Sequence, residues 1–440
     1  MIETETKEFM SFNRNMLLQC AVLFGGICAG LWIHKYFMIV TAVFTVVTAL
    51  FGKTEYCFYQ LLFILPFSMI YKLSPTSTSL FTYAMLAVGA VFIFRQWRFE
   101  RGFIVLLAVT AMYLIIGMGD NYTTAVKMIL GLCLFYIFVK RISPTDFKNH
   151  MMAFALGMLG SSCIGLLKGS WSRIDAYYSD LNSIYIGSVK SFRFSGLYLD
   201  PNYYSVSAIF AILLCIMLFI SKRGNRILLG AVIGALTVFG FISYSKMFLI
   251  AILAVALILI ISGLRSLKKI LVVILSVPII GTLVYKWMLR NNYITIMTDR
   301  LFGGDISTGR FGIWKVYTGH INDSITTLFF GDGLGAGYLS VGGPHNTYIE
   351  AIYYIGLFGT AFFLISVFYI FKSGKLDIKR TILNYALPLL FLLMIATLGC
   401  FTVNDLMFYF MLIWVGMNIS TEQSNDYDLF EQNPVDRIPD

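Results

Sequence analysis

Apolar runs of roughly 16 to 26 residues recur along the chain, separated by short polar breaks. A helix that crosses a membrane needs about 20 predominantly apolar residues. The pattern therefore predicts an all-α fold, a polytopic helical membrane protein with about 12–14 transmembrane helices. The candidate spans are 16–33, 36–51, 57–71, 79–94, 102–118, 123–139, 150–168, 203–221, 226–242, 245–262, 269–286, 346–371, 381–399 and 403–419. Pro66, Pro278 and Pro388 interrupt apolar runs. Neighbouring helices can satisfy the carbonyls a proline frees, so these positions predict kinks rather than breaks. No repeat of fixed period is present.

The breaks are of two kinds, and they alternate. One set carries Arg95, Arg98 and Arg101; Lys140, Arg141 and Lys148; Lys222, Arg223 and Arg226; Arg265, Lys268 and Lys269; Lys372, Lys375, Lys379 and Arg380. Two breaks of the other set, Gly119–Tyr122 and Cys400–Thr402, carry no lysine or arginine. Positive charge stays in the cytoplasm, so the first set and both termini are expected there. The same alternation puts two long loops, 169–202 and 287–345, on the outer face. Loops of that length are functional or disordered. In the second, Ile313, Trp314, Tyr317 and Ile321 recur at helical spacing. They predict a short amphipathic helix on the membrane surface, with Ser307 or Thr308 as its cap.

Composition agrees with this organisation. The 440 residues are 58% hydrophobic and 13% charged, with a mean hydropathy of +0.78. A soluble domain carries about 25% charged residues. The formal charge of +10 would suggest nucleic acid in a soluble protein. Here the short cytoplasmic loops account for it, and no nucleic-acid partner is expected. The seven cysteines form no CxxC pair and read as packing residues. The N-terminus is polar, and the apolar run after it ends without a small-residue cleavage pattern, so it reads as a retained first span. Residues 1–420 form one helical domain in this reading, and 421–440 an acidic, disordered cytoplasmic tail.

Polar groups gather at the expected outer boundary. Arg193, Asp200 and Asn202 close the first long loop in SFRFSGLYLDPN. Arg310 lies in the second, and His345, Asn346 and Glu350 end it. Lys127, Lys246 and Asp405 lie near outer helix ends, where the lysines either snorkel or join the site. Asp200-Pro201 suits a helix start, with aspartate capping and proline in the first turn. Gly331-Asp-Gly-Leu-Gly-Ala-Gly337 lacks the Lys and Ser/Thr of a phosphate loop. It is either a turn or a place of close backbone approach. Two arginines suit a diphosphate, because each guanidinium offers a planar fork and stays charged. A histidine accepts a proton near neutral pH. No metal-ligand spacing is visible, and no cofactor is expected.

Three segments resemble the bacterial O-antigen polymerase and O-antigen ligase superfamily. They are Arg193-Phe-Ser-Gly-Leu-Tyr-Leu-Asp200-Pro-Asn202; Gly309-Arg310 with Trp314 and Gly331-Asp-Gly-Leu-Gly335; and Pro344-His345-Asn346-Thr347-Tyr348 with Glu350. The likeness covers about residues 190–370. It implies a GT-C-like, metal-independent membrane glycosyltransferase of the bacterial inner membrane, active on the periplasmic face. Such an enzyme moves a glycan from undecaprenyl diphosphate to a sugar hydroxyl. The resemblance maps the essential arginines onto Arg193 and Arg310 and the loop histidine onto His345. It sets Asp200, Asn202, Asn346, Tyr348 and Glu350 beside substrate. Asn346 would orient the acceptor or cap a helix; Glu350 would orient Asn346 or an arginine. Donor and acceptor would both be undecaprenyl-diphosphate-linked oligosaccharide, with a chain-length regulator and a flippase as further partners. Family members usually have fewer spans than fourteen.

DPN after the first arginine and the HNTY form favour a polymerase of lipid-linked repeat units, making O-antigen, capsule or exopolysaccharide. A ligase passing a finished glycan to lipid A core or another acceptor is the alternative within the class. A lipid-oligosaccharide flippase is the alternative outside it, but transporters concentrate charge near the midplane.

Overall fold

The structure, a computed structural model, describes residues 12–74, 77–96, 98–167, 183–186, 189–198, 200–263, 286, 298, 309–374, 382–402 and 405–419. Seven helices come first: α1 (Arg14–Trp32), α2 (Tyr36–Phe51), α3 (Thr54–Ile64), α4 (Leu80–Gln96), α5 (Arg101–Ile115), α6 (Tyr122–Arg141) and α7 (Phe147–Leu166). A hairpin follows, β1 (Ser183–Ile186) paired antiparallel with β2 (Val189–Phe192). Then come α8 (Pro201–Ile220), α9 (Arg226–Ile242) and α10 (Lys246–Gly263). The last group is α11 (Arg310–Asp323), α12 (Ile325–Phe330), α13 (Thr347–Ser373), α14 (Ile382–Ile395) and α15 (Asp405–Ile419).

Four helical stretches are long and apolar enough to cross a membrane: Arg14–Trp32, Gly119–Arg141, Pro201–Ile220 and Thr347–Ser373. Seven further apolar helices among the described residues are shorter. The burial pattern of α2 is inverted relative to a soluble helix. It buries Thr41 and Thr45, whose hydroxyls bond the backbone at Met38 and Thr41, and exposes Val40, Val43 and Val47. An apolar face turned outward and hydroxyls turned inward is the arrangement that lipid favours, because the polar groups are satisfied inside.

Local chemistry sets the helix starts. Asp200 caps α8 by accepting from Asn202 N, with Pro201 in the first turn. Asn225 caps α9 through Ile227 N and Leu228 N. Asn346 caps α13 through Tyr348 N and Ile349 N. The centre is α8, almost entirely buried and in contact with α7, α9, α10, α14 and α15.

The predicted spans are each met by a helix, except that residues 269–285 of the run 269–286 lie outside the described residues. Three details differ. The run at 57–71 does not continue through Pro66: α3 ends at Ile64 and a 3₁₀ turn, Leu65–Phe67, carries the proline. Pro66 has no N–H for the ladder and stops the helix, whereas Pro388 sits inside α14 without ending it. The run at 346–371 is two helical pieces, because Gly356 has φ 65° and ψ −179°. The first long loop contains a hairpin, β1–β2, in a chain expected to be all-α. Pro278, Ser307, Thr308 and the acidic tail lie outside the described residues.

The bundle has two chemically different ends. At one, α5 and α7 begin while α4, α6 and α8 end, bringing Arg95, Arg98, Lys140, Arg141 and Lys222 together. At the other, α8, α10 and α13 begin while α5, α9 and α14 end. The latter end receives both loops.

Candidate functional site

Where the first loop enters α8, Arg193 is held from two sides. Its Nε donates to Ser243 O at 3.2 Å, and its Nη2 donates to Asn202 Oδ1 at 3.2 Å. The same Asn202 oxygen accepts from Ser245 Oγ at 3.0 Å. Asn202 is itself placed by the cap at Asp200, whose Oδ1 accepts its backbone N–H at 2.5 Å. The polar break Ser243–Ser245 between α9 and α10 thus fixes the guanidinium through one shared amide oxygen.

The second loop delivers Arg310 and His345. Arg310 opens α11 immediately after Gly309, which has φ 82° and serves as the cap in place of a side chain. One turn later, Trp314 Nε1 donates to Pro344 O at 2.8 Å. Tyr317 reaches the same segment: its hydroxyl donates to Gly342 O at 2.8 Å and accepts from Leu339 N at 3.0 Å. So α11, which buries Tyr317 and Ile321, is fastened to the residues just before His345. His345 has φ 48°, a left-handed conformation that L-residues other than glycine rarely adopt. That backbone costs about 1–3 kcal/mol, and the bonds from Trp314, Tyr317 and the Asn346 cap hold it.

The charges meet here. Burial lowers the Arg310 pKa below its ordinary value, and nearby Asp200 opposes the shift. The His345 pKa is also lowered, first by partial burial and then by the Arg310 charge, against the pull of Asp200. Arg310, His345 and Asp200 therefore share one electrostatic neighbourhood, joined to Arg193 through Asn202. Among the described residues, neither the Arg310 guanidinium nor the His345 imidazole makes a hydrogen bond or ion pair within the protein. Both are available to an external group.

Other expected site residues have different tasks. Asn346 is a helix cap, and its Nδ2 also donates to Ala396 O at 3.0 Å. Glu350 is 1% exposed, and among the described residues its carboxylate contacts neither Asn346 nor an arginine. Its oxygens accept from Phe401 N and Thr402 Oγ1, both at 3.1 Å. With Thr347, which donates to Leu398 O and accepts from Cys400 N, it straps the turn between α14 and α15 against α13. Tyr348 points outward, 40% exposed. Lys127 is half-buried in α6 without a contact to this cluster. Lys246 follows Ser245 directly, and the Asp405 side chain lies outside the described residues.

The glycine-rich segment is a splint. Breaking α13 at Gly356 frees the last carbonyls of its first piece. Asp332 N donates to Tyr353 O at 2.8 Å and Gly333 N to Tyr354 O at 2.9 Å, satisfying them. A Cβ at Gly331 would lie 2.4 Å from Tyr354 O, and one at Gly333 2.4 Å from Gly117 O. The close backbone approach is therefore to the protein's own backbone. Asp332 also accepts from His320 Nε2 at 2.6 Å and Thr327 Oγ1 at 2.7 Å.

Sequence reasoning missed Tyr203, Ser243, Ser245 and the Trp314 clamp. Tyr203 donates to Gly399 O at 2.5 Å and lies within electrostatic reach of Arg310. A signal existed for each: Tyr203 follows DPN directly, and the serines interrupt two apolar runs. Among the described residues, no group of three or more His, Cys, Asp and Glu is arranged to hold a metal ion. Trp314→Phe keeps an aromatic side chain, though a smaller one, and removes the indole N–H with its hydrogen bond, worth about 1 kcal/mol. Amide exchange of the segment before Asn346 is expected to quicken about five-fold. Unchanged exchange would mean that Trp314 does not hold the loop.

Compared with known proteins, the chain matches no family model and no curated sequence.

Proposed function

We propose that this protein is a multi-pass membrane glycosyltransferase that polymerises undecaprenyl-diphosphate-linked oligosaccharide repeat units at the outer face of a bacterial cytoplasmic membrane. What carries the reading is the pairing of Arg310 with His345, brought from two ends of one loop and fastened by Trp314, with both side chains unengaged. The strained backbone at His345 supports it, since such strain concentrates where a side chain must be aimed.

In this reaction the acceptor hydroxyl oxygen attacks the anomeric carbon of the donor. The bond from that carbon to the diphosphate oxygen breaks, and the diphosphate leaves with the electron pair. His345 takes the hydroxyl proton. Arg310 and Arg193 meet the charge growing on the leaving group, the task for which fixed guanidinium donors are most effective. Asp200 balances Arg310 and keeps His345 basic enough to accept a proton. Asn202 aims Arg193. Asn346 and Glu350 act through structure, by holding the start of α13 and the turn after α14.

His345 works as the neutral base, so activity rises as pH climbs through its pKa. Burial first and then Arg310 push that pKa below the ordinary value of about 6.5, and Asp200 pulls it up. Asp200→Asn keeps a good helix cap and removes the anion. The acidic limb of the rate profile is then expected to move to lower pH. A limb that stays in place or moves to higher pH contradicts the assignment of His345 as the base.

The direct test uses host membranes. Arg193→Ala, Arg310→Ala and His345→Ala are expected to abolish polymer while the protein remains in the membrane and single lipid-linked repeats accumulate. Wild-type polymer in all three variants sinks the proposal.

A further inference from the structure

Tyr338 stands on the second outer loop, shortly before His345, with its side chain 58% exposed. The backbone that carries it is fixed. Leu339 N donates to the hydroxyl of the fully buried Tyr317 at 3.0 Å, and Gly342 N closes a tight turn onto Leu339 O at 2.9 Å. The same Tyr317 hydroxyl donates to Gly342 O at 2.8 Å, so one buried post ties both ends of the turn between Tyr338 and His345. This turn folds Gly343 onto the Tyr338 ring: a Cβ at Gly343 would lie 3.3 Å from its Cζ. The hydroxyl end of the ring reaches the Thr402 side chain, which itself donates to Glu350 Oε1 at 3.1 Å. Tyr338 and Asp200 both lie within electrostatic range of Tyr203. An exposed ring thus bridges the outer end of the bundle, from the His345 loop to the turn between α14 and α15.

We propose that Tyr338 is the platform on which a sugar ring of the acceptor glycan stacks, beside the imidazole of His345. Stacking there rests on the glycosyl-transfer reading and gives that reaction its acceptor subsite. Exposed rings such as Phe358 and Phe368 on α13 belong to an apolar helix face, where lipid covers them. Tyr338 has polar neighbours instead: Thr402, Glu350 and the Tyr317 hydroxyl. A sugar matches both properties. One face of a pyranose presents C–H groups, which suit the electron-rich face of an aromatic ring, and its hydroxyls project sideways toward polar side chains. Tyrosine also offers a large contact area with only two torsions to fix. The acceptor is favoured over the diphosphate end of the donor, because Tyr338 shares its turn with the base that takes the acceptor proton, while Arg193 comes from the other loop.

The test uses the full-length protein in detergent and the host glycan's repeat unit as a free oligosaccharide, without lipid or diphosphate, titrated by saturation-transfer NMR. Tyr338→Ala is expected to weaken binding about ten-fold, and Tyr338→Leu as much, since leucine keeps apolar bulk without a ring face. Tyr338→Phe should restore binding to within about three-fold of wild type at an unchanged melting midpoint. If Tyr338→Ala does not fold, Tyr338→Leu against Tyr338→Phe gives the same comparison. Equal binding by wild type and a folded Tyr338→Ala, or full binding by Tyr338→Leu, overturns the platform. Polymerisation in vesicles separates this claim from the reaction itself. A wild-type ladder with ring-independent oligosaccharide binding removes Tyr338 and leaves the transferase. Ring-dependent binding without a wild-type ladder keeps the sugar platform and removes the transferase. Neither signal overturns both.

Discussion

Arg310→Ala is expected to slow glycan polymerisation by on the order of 100-fold, because removing one preorganised donor from a developing anion costs about 3 kcal/mol. The guanidinium is half-buried and, among the described residues, uses none of its five N–H groups on the protein. Its donors are therefore kept for something else. Its departure leaves no broken internal bond, so the fold should survive while the rate falls. Arg310→Lys keeps the charge but not the planar fork, and should recover only part of the rate. A loss in kcat with little change in KM would mark an interaction made mainly in the transition state. A pure rise in KM would assign Arg310 to ground-state binding instead. His345→Ala should give a comparable loss, and the two together should be less than additive if both act on one step.

Gly356→Ala is expected to destabilise the protein by about 2–5 kcal/mol, the largest stability effect of any conservative change considered. Two costs combine. The left-handed backbone at φ 65° disfavours any Cβ by about 1–2 kcal/mol. The added carbon would lie 2.3 Å from the backbone of Phe329 and Phe330, which cannot give way as a side-chain tip would. Overpacking of this kind costs about 1–3 kcal/mol. Gly230→Ala is the natural comparison. It lies inside α9 with nothing within 4 Å of the new carbon, and should stabilise by about 0.5–1 kcal/mol. Melting midpoints of the two variants in the same detergent should move in opposite directions. Parallel shifts would mean that the break in α13 is not needed.

The break matters for the site as well as for stability. It separates the short piece that carries Asn346, Thr347 and Glu350 from the long piece that follows. Nothing in the local sequence announces it, because Tyr353-Tyr354-Ile355-Gly356-Leu357 reads as unbroken apolar helix. Only the tertiary partner explains it: Asp332 and Gly333 from a distant segment supply the amides that the freed carbonyls require. The glycines at 331 and 333 were visible as a feature, but their use could not be read without knowing what lies beside them. Pro66 differed as well. A kink was expected there, and the helix instead stops at Ile64, with the proline in the 3₁₀ turn that follows.

What the pattern did make legible follows from chemistry that acts locally. Asp200-Pro201 and Asn346 are capping residues wherever they precede an apolar run, and both cap. Ile313, Trp314, Tyr317 and Ile321 share a helical face by spacing alone, and α11 forms there. The gathering of Arg193, Asp200, Arg310 and His345 at one end was inferred from alternating loops. Their electrostatic coupling needed coordinates, since it rests on Trp314 reaching Pro344 across thirty positions. Glu350 was the least legible. A carboxylate near two arginines invites an ion pair, yet it is buried against Phe401 N and Thr402.

The most direct test of the central claim uses purified protein in lipid vesicles, given undecaprenyl-diphosphate repeat units of the host glycan and no other acceptor. The products are separated by length on a gel. The account predicts a ladder with wild type and none with His345→Ala at equal incorporation. Unextended single repeats with wild-type protein, with fold and substrate verified, would contradict it.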